Sequence, residues 1–144
     1  MKKTFLALAI FASGLLYAAT PGVDEKIEKS FNATFPKAEK VTWYEGDKYY
    51  EVMFENETVK CRMWYNKGGE VVKTERYYKE DGLCPFILAK VKSKYSGKKV
   101  FGVTEINNEE GIRYYIILED DKKWYHVNSD GSGNLYIAKK YIKA

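Results

Sequence analysis

The sequence predicts an α+β fold. Two tandem units, each a helix followed by four strands, form one antiparallel sheet of about eight strands. Both helices lie on one face and the other face is open. Three observations carry this prediction. Two short segments repeat apolar residues at helical spacing. Eight further segments are rich in β-branched and aromatic residues and are separated by Gly, Asn and Asp. The helix-then-strands pattern also ends and restarts near Pro85. A unit of about 60 residues is marginal alone, so the two are expected to share one sheet with the helices layered on one side.

The chain begins Met1-Lys2-Lys3, continues with an apolar run from Phe5 to Tyr17, and then reads Ala18-Ala19. A short basic start, such a run and small residues at its end read as a secretory signal peptide over residues 1–19. A membrane span needs roughly 20 apolar residues, and no Cys near the run offers a lipid site. A cut after Ala19 leaves 125 of the 144 residues, with 22 basic and 20 acidic side chains, a formal charge of +2. That modest charge, its alternating signs and export together speak against a nucleic-acid partner. No stable membrane anchor remains, and a periplasmic or secreted location is expected. Residues 20–144 then form a single domain of two repeats, about 22–80 and 83–141.

In the first repeat Val23, Ile27, Phe31 and Phe35 recur every four residues among charged ones, which predicts one amphipathic helix ended by Pro36. Strands are expected at residues 41–44, 49–55, 59–65 and 71–78, with turns at Gly46-Asp47, Asn56-Glu57 and Asn66-Lys67-Gly68-Gly69. In the second repeat Pro85 suits the first helical position. Ile87, Leu88, Val91 and Tyr95 line one helix face, and Gly97 ends it. Strands follow at 100–106, 112–119, 124–128 and 135–141. Residues 50–56 align with 114–120 at an offset of 64, and Tyr65-Asn66-Lys67-Gly68 aligns with Val127-Asn128-Ser129-Asp130 at an offset of 62.

The first repeat reads helix, Phe35-Pro36-Lys37-Ala38, Val41-x-Trp43, Tyr50-x-Val52-x-Phe54, then a strand ending Tyr65-Asn66-x-x-Gly69. This series resembles the PepSY-like family of exported bacterial proteins, whose fold is similar to that of the β-lactamase inhibitory protein. The resemblance covers about residues 22–141 and rests most on Phe-Pro-x-Ala followed by Val-x-Trp. It implies an eight-stranded sheet from two tandem units and no catalytic activity. Tyr95-Ser96-Gly97 replaces the Phe-Pro pair in the second repeat, which weakens the motif there.

Tyr is in excess, 13 against 7 Phe and 3 Trp. Six adjacent aromatic pairs fall in predicted strands, among them Trp43-Tyr44, Trp64-Tyr65 and Trp124-Tyr125. Neighbours on a strand point to opposite faces. Each pair therefore sends one ring under the helices and one to the open face. Alternation puts Val41, Trp43, Tyr50, Val52, Phe54, Val59, Cys61, Met63, Tyr65, Tyr114, Ile116, Leu118, Tyr125 and Val127 inside. It leaves Tyr44, Tyr49, Met53, Arg62, Trp64, Tyr115, Ile117, Trp124 and His126 on the open face. The fourth and eighth strands alternate poorly, so Tyr78 and Tyr136 fit either face. Trp, Tyr, Met and Arg are enriched at interfaces and hot spots, and rings with a polar tip suit a face that is wet when free and dry when bound. These nine residues are the expected partner-binding set. The competing role is structural, because exposed cross-strand rings stabilise a sheet by roughly 0.2–1 kcal/mol per pair.

Catalytic and metal chemistry find little material. His126 is the only imidazole, too little for a triad or zinc site. Glu109-Glu110 and Glu119-Asp120-Asp121 fall in predicted turns, without an apolar setting to raise a pKa. Asn128 to Gly133 opens like a calcium loop, yet its twelfth position is Lys139 where a Glu is required, so it reads as a hairpin turn. No metal or cofactor is expected. Cys61 and Cys84, with 22 residues between them, are the only thiols; export permits a disulfide, and the sequence leaves the pairing open. The expected function is non-enzymatic binding of a protein or peptide in the envelope; the family resemblance implies an inhibitor or modulator of an envelope enzyme as one form. The alternative is a carrier of a small apolar or glycan ligand.

Overall fold

Alternate residues are buried along the two inner strand pairs 49–66 and 111–130, and all eight strands join in a single antiparallel sheet. A computed structural model describes residues 22–144; the signal-peptide reading falls outside them. The order is α1 (Glu25–Thr34), β1 (Glu39–Glu45), β2 (Tyr49–Asn56), β3 (Val59–Asn66), β4 (Val71–Tyr78), then α2 (Pro85–Lys94), β5 (Lys99–Asn108), β6 (Gly111–Glu119), β7 (Lys123–Asp130) and β8 (Leu135–Ile142). Each strand pairs with the next in chain order, so β1 and β8 are the edges. Asp24 caps α1 by accepting a hydrogen bond from the Lys26 amide at 2.8 Å. Pro85 opens α2, and Lys92 and Lys94 in its last turn complement the helix dipole.

The two units repeat in backbone detail. Trp43 pairs with Val52 as Val103 pairs with Ile116. The helices therefore match at an offset of 60 and the later strands at 64. The longer β5–β6 hairpin absorbs the difference. This corrects the offset of 62 for the turn after β3. Asn66 Oδ1 accepts hydrogen bonds from the amides of Gly68 and Glu70. Asp130 Oδ1 accepts them from Ser132 and Asn134. Asn66 and Asp130 are 64 residues apart, and the left-handed glycines Gly69 (φ 89°) and Gly133 (φ 77°) stand at matching places. The stretch Asn128 to Gly133 is thus a hairpin turn, with the Asp130 carboxylate engaged by its own turn.

Each helix covers its own core. Ile27 and Phe31 of α1 pack on Trp43, Tyr50, Val52, Phe54, Met63 and Tyr65. Phe31 is fully buried, with the rings of Trp43 and Phe54 edge-on at 5.3 and 4.9 Å. Ile87 and Val91 of α2 pack on Val103, Ile116, Leu118 and Val127. A polar row, Cys61–Arg76–Glu105–Tyr114, crosses the helix side between the two cores. There the Tyr78 hydroxyl donates to Glu105 at 2.6 Å and Arg76 pairs with Glu105 at 3.3 Å. Burial first, then that carboxylate, pushes the Tyr78 phenol above its usual range. Cys61 and Cys84 are free thiols, and burial pushes the Cys61 thiol up.

Candidate partner-binding face

Register places all nine expected residues on the side of the sheet away from the helices. Tyr44 lies opposite Glu51, Glu51 opposite Trp64, and Met53 opposite Arg62. Tyr115, Ile117 and Glu119 lie opposite Asn128, His126 and Trp124. Tyr44, Tyr49 and Tyr115 are exposed, and the other six are half-buried.

The nine do not form one patch. The row through Trp64 reaches β6 at Gly111, by way of Lys73 and Asn108. The row through Trp124 meets β6 at Glu119. Four strand spacings of about 4.8 Å and eight residues of about 3.3 Å put the two indoles roughly 30 Å apart. Between them runs a row of Met53, Arg62, Glu75, Ile106, Arg113 and Asp130. Tyr44, Tyr49 and Trp64 therefore form one patch, and Tyr115, Ile117, Trp124 and His126 belong to another.

The second patch is larger than the sequence indicates. Phe101 meets Trp124 edge-on at 4.9 Å, and His126 lies 4.9 Å from Tyr141. Tyr77 lies over Gly102, where an added Cβ would fall 2.7 Å from its hydroxyl. Tyr136 shares a row with Asn128 and Tyr115. The alternation does not assign Tyr77, Phe101 and Tyr141 and leaves Tyr136 open, because bulges interrupt β5 and β8 and polar residues blur β4. Tyr78 is buried on the helix side, whereas Tyr136 is 59% exposed.

Charge differs between the patches as well. Around Trp64, Arg62 pairs with Glu51 at 3.1 Å and Lys73 with Glu75 at 3.7 Å, and the Lys73 ammonium sits 4.2 Å from the indole centroid. Around Trp124, Lys143 is 2.6 Å from Glu119 and 4.4 Å from the indole centroid. Lys79 donates to the Phe101 carbonyl at 2.8 Å and lies 4.4 Å above that ring. Such cation–ring contacts are worth about 0.5–1 kcal/mol at exposed sites.

The acidic turns have structural work. Asp120 accepts from the Tyr125 hydroxyl at 2.6 Å and from the amides of Lys122 and Lys123. The phenol bond, followed by those amides, holds its carboxyl well below the ordinary range. Glu110 pairs with Arg113 at 2.8 Å. Among the described residues no group of three metal-ligating side chains converges, and no helix is long and apolar enough to cross a membrane.

No family model matches the chain, and no curated protein does. Solved structures do. A BLIP-like protein from Bacteroides fragilis superposes with a TM-score of 0.58 at 18% identity, covering 84% of this chain and 88% of that one. A DUF2874 family protein from Bacteroides ovatus gives 0.56 at 23% identity, covering 87% and 89%. A Bacteroides eggerthii protein provisionally described as periplasmic gives 0.56 at 15%, covering 83% and 88%. The fold is therefore BLIP-like.

Proposed function

We propose that the protein is a non-enzymatic, exported binding module that engages a protein or peptide partner across the open aromatic face of its sheet. The observation that carries this reading is the spread of the rings. Patches roughly 30 Å apart on one uncovered face exceed the reach of a small ligand and suit a macromolecule, for which a stable interface takes about 800 Å² per partner. The BLIP-like fold and the PepSY-like motif support inhibition or modulation of an envelope enzyme as the form this binding takes. The leader pattern and the periplasmic description of the Bacteroides eggerthii neighbour support export. No catalysis is assigned, since His126 packs on Tyr141 and the acidic turns are spent on their own hairpins.

A second reading, a carrier of a small apolar or glycan ligand, is favoured by one observation. A hollow of about 430 Å³ beside Trp64 is lined by Tyr49, Val72, Lys73, Asn108 and Glu109, a size that suits a small molecule. Affinity capture from an envelope extract, with the Trp64→Ala/Trp124→Ala double variant as control, tests the first reading. A partner lost from the variant at unchanged melting temperature supports docking. A variant that melts much lower and loses no partner makes the rings sheet stabilisers instead.

A further inference from the structure

The two halves of the open face differ in charge balance, and that difference names a kind of partner. Residues 22–80 carry 11 basic and 12 acidic side chains, whereas residues 81–144 carry 11 basic and 8 acidic. On the open face Lys79 of the first unit joins Lys99 and Lys139 of the second. Around Trp64 the cations Arg62 and Lys73 have carboxylates within 4 Å. Around Trp124 register puts Lys99 opposite Glu119 and Lys139 opposite His126, and Lys79 covers Phe101. Among the described residues, none of these three ammonium groups has a carboxylate within 4 Å. Glu119, the carboxylate beside Trp124, is held by Lys143.

We propose that this half of the face, centred on Phe101, Trp124 and Tyr141, receives an acidic segment of a partner protein, with an apolar side chain seated on the rings and flanking carboxylates on the lysine rim. The inference rests on the docking function proposed above and adds the partner's chemistry. The rings supply apolar contact at little entropic cost. The unpaired lysines supply charge complementarity, which steers encounter and selects against basic partners. A second copy of this chain fits poorly, because two such rims would repel.

The three tryptophans make the test direct. Trp43 is buried under α1, Trp64 marks one patch and Trp124 the other, so each indole N–H resonance reports one location. Two synthetic peptides with the same Phe and Leu residues, one interspersed with Asp and Glu and one with Lys, are titrated into the protein. The acidic peptide is expected to move the Trp124 signal and leave Trp43 and Trp64 in place. Its binding is expected to weaken at least about fivefold between about 50 and 300 mM salt. Lys79→Gln with Lys139→Gln, checked by melting, is expected to weaken it at least about threefold, whereas Lys37→Gln on the far side changes nothing. Four results overturn the proposal: equal response to the basic peptide, equal movement of Trp64, no movement up to about 1 mM peptide, or an equal response to polygalacturonate, which makes the rim a polysaccharide site. If capture still depends on Trp124 while the acidic peptide fails, docking stands and the acidic partner falls.

Discussion

The two units share a backbone plan and fill matching core positions differently. The first fills its core with rings: Phe31, Trp43 and Phe54 stand where the second has Val91, Val103 and Leu118. The second has aliphatic side chains at those three places, beside the buried Tyr114 and Tyr125, and carries Phe101, Trp124 and Tyr141 on the open face. A duplicated frame can thus divide labour. The three rings at the matching core positions of the first unit support the sheet, and the rings clustered outside the second core are free to meet a partner.

The largest predicted effect breaks the cores unequally. Phe31→Ala should cost about 3–5 kcal/mol. Val91→Ala at the matching helix position should cost about 2 kcal/mol, because less volume is removed. Denaturant unfolding of the two variants checks the difference, and equal losses would contradict the contrast between the cores. Next is the end of each unit. Tyr78 is buried at the join with its hydroxyl on Glu105, whereas its counterpart Ile142 lies on the edge strand, 82% exposed. Tyr78→Phe should cost about 1–3 kcal/mol by leaving Glu105 short of a donor. Ile142→Ala should stay within about 0.5 kcal/mol.

The smallest effect concerns pH. Asp120 stands where the first unit has Asn56, and only Asp120 has a phenol donor, from Tyr125. Its carboxyl titrates lower when folded than when unfolded, so its contribution is complete above the unfolded value near 4. That contribution is lost as pH falls through the lower folded value. The melting-temperature gap between the native chain and Asp120→Asn should therefore be constant from pH 7 to about 5 and close progressively below about 4. A gap that widens in acid would reverse the assignment.

Where the pattern was clean, the sequence was a good guide. Tyr50, Val52 and Phe54 alternate without a break, so their facing and that of Tyr49 and Met53 follow directly. Pro85 and Gly97 bracket α2 because one suits a first helical turn and the other a stop. Reading failed where two-residue periodicity is interrupted. The bulge at Phe101 puts Val100 and Val103, three residues apart, on the same side. A bulge near Ala138 does the same for Tyr136 and Tyr141 on the open side. In β4 the inward residues Thr74 and Arg76 are polar because they cross the seam between cores, so hydrophobicity does not mark their side. The turn offset was misjudged by matching Asn66 to Asn128. The shared signal is an Asx side chain with a left-handed Gly three residues later, Asn66 with Gly69 and Asp130 with Gly133. The split into two patches depends on how register staggers across eight strands, which no single segment encodes.

The most direct test of the divided labour compares Phe31→Ala and Trp124→Ala in one experiment that reads melting temperature and partner capture from an envelope extract. Trp124→Ala should melt within a few degrees of the native chain and lose its captured partner. Phe31→Ala should melt far lower and, below its transition, still capture that partner. A Trp124→Ala variant that unfolds as readily as Phe31→Ala, or keeps its partner, contradicts the divided labour.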